Sequence, residues 1–273
     1  MKIIPCSVVR RGLATVVLAL ALSWNAPPVG AAPGDAAPAN HGRPKPSILL
    51  VHGAFAGALA WQKVTTLLQQ HGFTVVAVEN PLTSLDTDVA TTKRAIAALA
   101  ARGPLVVVGH SYGGMVITEA GNNPKVSGLV YVAAFAPDAG ESVQDLGKNA
   151  PPPPWAAKLI ADSAGFLTLP ADVVKSDFAQ DLPAADTKLI AAKQGPINAK
   201  AFADKVTTPA WKAKPSWYIR AEADHMIDPA GQQLMAQRAG AKLTSVKGAS
   251  HVVMLSKPKD VAAVILAAAS GKK

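Results

Sequence analysis

The stretch LVVVGHSYGGM, residues 105–115, decides how the rest of the chain is read. Four aliphatic residues lead without a break into Gly109, His110, Ser111, Tyr112 and Gly113. A continuous aliphatic run predicts a strand buried on both faces, because a strand with one wet face alternates apolar and polar residues. Residues 112–120 then carry helical spacing and stop near Gly121 and Pro124. Ser111 thus falls between a strand and a helix, in a G-x-S-x-G pattern. In that setting the pattern describes a nucleophile elbow, a strained turn that exposes one hydroxyl at the carboxyl end of a sheet. The flanking glycines let strand and helix pass without a Cβ clash. As five letters alone, it would equally describe a glycine–serine loop.

Working outward, the same alternation recurs. Residues 48–51, 73–78, 126–134, 216–221 and 242–246 read as further strands, and 61–70, 87–101 and 258–269 as helices. This predicts an α/β fold: a mostly parallel sheet with helices on both faces, joined by right-handed crossovers. No internal repeat is visible. The rhythm breaks across 143–214, where short helical patterns surround a proline run and isolated large residues. An insertion of that length reads as a helical cap over one end of the sheet, leaving 47–142 and 215–273 as the core. A decorated loop region remote from any site is the alternative.

The amino terminus has a different character. Lys2, Arg10 and Arg11 precede an apolar run at 13–22, followed by prolines and by Val29, Gly30 and Ala31. That layout predicts a secretory signal peptide over 1–31, with Arg10 and Arg11 raising the twin-arginine route. The run falls short of the ~20 apolar residues that span a bilayer, so no stable span is expected after cleavage. A disordered leader is expected over 32–46, and the location is expected to be secreted or periplasmic. Cys6, the single cysteine, lies in the signal segment, which excludes disulfides and thiolate-held metals from the mature chain. The formal charge is +9, yet the lysines are scattered and aromatics make up 5% of residues. The pattern is that of a solvated basic surface and not of a nucleic-acid groove. No metal or organic cofactor is expected, and no feature sets an oligomeric state.

A serine hydroxyl needs a base to take its proton. His41 is in the leader, His52 and His110 flank glycine turns, and His71 ends a helix. The order serine, acid, histidine used by elbow-type sheets leaves His225 and His251, which follow the strand at 216–221. Three carboxylates leave that strand: Glu222, Asp224 and Asp228. Asp224 is preferred for its place in the turn, Asp228 before Pro229 reads as a helix N-cap, and Glu222 is the weaker rival. Asp138 reads as a surface turn. Backbone amides of Tyr112 and Ala54, with Phe55 as the neighbour that could replace Ala54, are the candidate oxyanion donors. Phe55 and the insert's Trp155, Phe166, Phe178 and Trp211 are candidates to line an apolar pocket, with ordinary packing as the plainer reading.

With these residues in view, the chain resembles the α/β-hydrolase superfamily, especially the plant methyl esterase and hydroxynitrile lyase group and its bacterial esterase relatives. The resemblance rests on Leu50-Val51-His52-Gly53-Ala54, Gly109-His110-Ser111-Tyr112-Gly113-Gly114, Ser216-Trp217-Tyr218-Ile219, and Gly248-Ala249-Ser250-His251 through Met254-Leu255-Ser256-Lys257-Pro258. It implies Ser111 as nucleophile, His251 as base, Asp224 as acid and the Ala54 and Tyr112 amides as oxyanion hole. The lyases carry a lysine after the histidine and a threonine after the first-strand histidine. Here those positions are Val252 and Gly53, which points to ester hydrolysis over cyanohydrin cleavage. The expected activity is cleavage of a small or medium carboxylic ester through an acyl-enzyme. Lactone opening, carbon–carbon hydrolysis, cofactor-free perhydrolysis and a non-catalytic ligand-binding role remain as alternatives.

Overall fold

A computed structural model describes residues 45–149 and 151–271 of the chain. The expected signal peptide, Cys6, His41 and nearly all of the expected leader lie outside those residues. The described chain opens with β1 (Ser47–Val51), α1 (Gln62–Gln70), β2 (Val75–Val78), α2 (Leu85–Ala100), β3 (Leu105–His110), α3 (Gly113–Ala120) and β4 (Val126–Val132). After an insertion come β8 (Ser216–Ala221), α8 (Pro229–Arg238), β9 (Lys242–Val246), α9 (Val253–Ser256) and α10 (Pro258–Ala269). The strands form one sheet in the order β2-β1-β3-β4-β8-β9, and every pairing is parallel.

The aliphatic runs explain this order. All residues of β1 and β3 are buried, as central strands covered on both faces must be. Edge strand β9, by contrast, keeps Lys242 and Ser245 exposed. Two helix pairs, α1 with α10 and α2 with α3, cover the sheet. The start of α2 lies ahead of its sequence-predicted position because Ser84 caps it. The Ser84 hydroxyl accepts from the Thr87 amide at 3.2 Å, and the Thr87 hydroxyl accepts from the Ser84 amide at 3.2 Å.

The insertion departs from the helical expectation. It carries α4 (Val143–Gly147), α5 (Ala171–Val173) running into a π-helical turn at Val174–Phe178, α6 (Ala184–Lys193) and α7 (Lys200–Ala203). It also carries a three-stranded antiparallel sheet of β5 (Ile160–Ala161), β6 (Phe166–Thr168) and β7 (Ile197–Asn198). Strands of two or three residues are too short to print a period on the sequence. The insertion is fastened to the core by polar contacts. Glu119 accepts from the Thr207 and Thr208 amides at 2.7 and 3.0 Å, and the Trp211 indole donates to Pro137 O at 2.7 Å. Among the described residues, no helix is long and apolar enough to cross a membrane.

Candidate active site

β3 delivers Ser111 into the elbow that its sequence predicts. Ser111 has φ of +53°, a left-handed conformation unusual for a residue with a side chain. The turn is held on both sides: the Ser111 amide donates to Val132 O at 3.2 Å, while Ser111 O accepts from Gly114 N and Phe135 N at 2.9 and 3.1 Å. The glycines are required by close approach. A Cβ on Gly109 would stand 2.6 Å from Gly113 O, and one on Gly53 would stand 2.6 Å from the Ser111 Cβ.

Three distant residues converge at this turn. The Ser111 hydroxyl meets His251 Nε2 at 2.8 Å, and His251 Nδ1 donates to Asp224 Oδ2 at 2.8 Å. All three are buried. Asp224 is held by more than the imidazole: Oδ1 accepts from the Met226 and Ile227 amides at 2.7 and 3.0 Å, and Oδ2 accepts from the Gln232 amide group at 2.7 Å. Gln232 is itself saturated, giving a second hydrogen bond to Ile227 O and accepting one from Ala221 N. Four donors to one carboxylate compensate the loss of water around a buried charge.

The rival groups are engaged elsewhere. Asp228 caps α8 through the Ala230 and Gly231 amides, Glu222 pairs with Arg220, and Asp138 pairs with Lys212 on the surface. His225 is exposed and lies beside Asp177. His110 is fully buried, its ring centroid 4.7 Å from that of His251, and its Nε2 donates to His251 O at 2.9 Å. Desolvation holds its pKa well below the usual histidine value, and the neighbouring His251 adds to that. His110 is therefore a neutral strut beneath the imidazole. His52 is also neutral: burial lowers its pKa, its Nδ1 donates to Gly53 O at 2.9 Å, and its Nε2 accepts from the Asn80 amide at 3.0 Å. It thereby pins the loop that presents Ala54.

Ala54 and Tyr112 are both buried beside Ser111, and among the described residues neither backbone amide has a protein acceptor. The Tyr112 side chain runs away from the turn, where its hydroxyl donates to Asp88 Oδ2 at 2.9 Å. Asp88 also accepts from the Leu82 amide at 2.8 Å, and burial pushes its carboxyl up to about 6. Neither Gln232 nor Asp88 announces itself in the sequence. Both read as polar positions on helices, and only the turn of each helix toward the site gives it a partner.

A cavity of about 340 Å³ opens between α6 and the segment joining β1 to α1. Its walls include Phe55, Phe178, Leu182, Ile190, Val252 and Leu255. Leu59 and Leu189, 66% and 52% exposed, stand at its rim. Neither Ser111 nor His251 is part of the wall. The cavity meets the serine's surroundings through Phe55, which follows Ala54, and through Phe178, whose ring centroid is 5.3 Å from that of His251. Three expected lining residues are elsewhere. The Trp155 indole is engaged by His225 O at 2.9 Å, and Phe166 lies in β6 opposite Asn198. Trp211 is likewise drawn to Pro137 and away from the cavity.

The model of the alpha/beta hydrolase family matches residues 48–264, and the chain belongs to that family. Methylesterase 8 of Arabidopsis thaliana is 26% identical over 247 residues, covering 82% of this chain and 90% of that protein. Probable hydrolase R7 of Phoma sp. is 30% identical, covering 81% of this chain and 97% of its own. Among solved structures, polyneuridine aldehyde esterase matches with a TM-score of 0.71 at 21% identity, over 81% of this chain and 98% of that one. The overall fold is shared with that esterase.

Proposed function

We propose that the protein is an exported serine hydrolase that cleaves small or medium carboxylic esters through an acyl-enzyme on Ser111. The observation that carries this reading is the unbroken relay from Ser111 Oγ through His251 to Asp224, with both links at 2.8 Å. His251 Nε2 takes the serine proton as Oγ attacks the ester carbonyl, and the resulting oxyanion faces the unengaged amides of Ala54 and Tyr112. The imidazolium then protonates the departing alcohol. In the second half-reaction His251 deprotonates a water, which attacks the acyl carbonyl, and the same proton returns to Ser111. Asp224 fixes the imidazole with Nδ1 protonated and balances its charge.

The esterase names borne by relatives support this chemistry. The cavity walled by Phe55, Phe178 and Val252, next to the triad, supports a substrate with an apolar portion. At the two positions that distinguish the lyase pattern, Val252 forms cavity wall and Gly53 has no room for a Cβ against Ser111. Export rests on the basic, apolar and small-residue order of residues 1–31. The direct test is turnover of p-nitrophenyl butyrate together with fluorophosphonate labelling. Ser111→Ala is expected to abolish both, with kcat falling roughly a millionfold. Retained turnover in that variant would sink the assignment.

A further inference from the structure

We propose that Gln180 and Asp181 are positioning residues, through which the insertion holds the acid loop and the base loop in catalytic register. The inference rests on the hydrolase reading above. Asp224 and His251 sit on separate loops, after β8 and after β9, and the second of these bends at Gly248 with φ of +66°. The core joins the two loops directly through Ala223 N to Ala249 O, at 3.0 Å. From the sheet, His110 of β3 also holds His251 O at 2.9 Å, and a second set of ties comes from the insertion.

The insertion reaches this bridge at one tight turn, closed by Leu182 N donating to Ala179 O at 3.0 Å. Gln180 Nε2 donates to Ala223 O, the carbonyl just before Asp224. Asp181 Oδ2 accepts from Ser250 N at 3.0 Å, the amide just before His251. Two adjacent side chains therefore grip the two residues that precede the acid and the base. Phe178, two residues earlier, lays its ring against the imidazole. The π-helical turn at Val174–Phe178 brings this short segment onto both loops at once.

Simple packing of the insertion does not call for this arrangement. Apolar side chains would fill the same space without burying polar atoms, yet Gln180 Oε1, Asp181 Oδ1 and Ser250 Oγ are buried without a hydrogen-bond partner among the described residues. What these polar groups deliver is the placement of two backbone segments. A displacement of about 1 Å in such a constellation lowers turnover on the order of a hundredfold.

The test uses the full chain and three variants: Asp181→Ala, Asp181→Asn and Gln180→Leu. For p-nitrophenyl butyrate, Asp181→Ala and Gln180→Leu are expected to lower kcat by about 10- to 100-fold while KM stays nearly constant. Fluorophosphonate labelling should slow in proportion. Asp181→Asn should restore most of the rate, because its amide oxygen can accept the same Ser250 N–H. Unchanged kcat in the first two variants, a change confined to KM, or an asparagine no better than alanine would each overturn the proposal. If Asp181→Ala fails to fold, Gln180→Leu alone decides, since it acts on the other loop. A wild-type chain that neither labels nor turns over would instead remove the hydrolase reading. A labelled wild type with unaffected variants removes only this one.

Discussion

The sheet core and the insertion hold their parts of the site to different degrees. In the core, Ser111 is fixed by exclusion: β1 and β3 are buried throughout, and the elbow glycines leave no room for an added carbon. In the insertion, β5 is exposed at both residues, a few side chains such as Val173, Phe178 and Val206 are buried, and polar ties are added: Trp155, Trp211 and Gln180 donate to core carbonyls, and core Glu119 accepts from Thr207 and Thr208. Close packing tolerates almost no change in volume, whereas isolated surface hydrogen bonds contribute little each. The contrast leaves the geometry of Ser111 to the sheet, and a large part of the cavity wall to the insertion.

The largest expected effect tests the core's claim on chemistry. Asp224→Asn preserves shape but removes the charge opposite the imidazole, and kcat is expected to fall by about 10⁴. If Glu222→Gln gave the larger loss in the same assay, the acid would be misassigned. The next effect tests exclusion itself. A Cβ on Gly114 would lie 2.0 Å from Phe135 O, so Gly114→Ala should cost about 3 kcal/mol in denaturant unfolding. Wild-type stability in that variant would show that the elbow yields more than its packing implies.

A smaller effect concerns the buried carboxyl under Tyr112. With the Asp88 pKa raised to about 6, the folded chain retains a proton that the unfolded chain releases near pH 4. Stability from this group is therefore complete below about pH 4 and declines as pH rises toward 6. Against Asp88→Asn, the wild type should lose a few degrees of relative Tm across that window. An unchanged difference between the two melting curves would contradict the raised value. The smallest effect belongs to the insertion: Leu189→Ser at the cavity rim should shift stability by less than about 0.5 kcal/mol. The same change should reduce the preference for p-nitrophenyl octanoate over the acetate by about threefold. Equal selectivity in that variant would detach the rim from substrate choice.

The same contrast decides what could be read from the sequence. Central strands announce themselves because burial on both faces forces uninterrupted aliphatic runs, as at Leu105 to Val108. The elbow is legible because only glycine satisfies its steric demands, and Asp228 because a capping aspartate before proline is a local signal. Choosing Asp224 over Glu222 needed only the turn between strand and cap. What stayed hidden depends on contacts across long separations. Gln232 looks like any polar residue of α8, Gln180 and Asp181 look like a surface turn, and the strands β5 to β7 are too short to carry a period. The aromatic residues of the insertion were equally ambiguous: Phe178 reaches the cavity, while Trp155 and Phe166 are drawn elsewhere by a hydrogen bond and a strand pairing.

Phe178 lies against the imidazole and also bounds the cavity. Adapting the enzyme to bulkier molecules by trimming that aromatic would therefore disturb proton transfer at the same stroke. Leu182, Leu189 and Ile190, which border the cavity without touching the reacting groups, offer a route along which natural variation or laboratory selection can retune scope while leaving the chemical step alone.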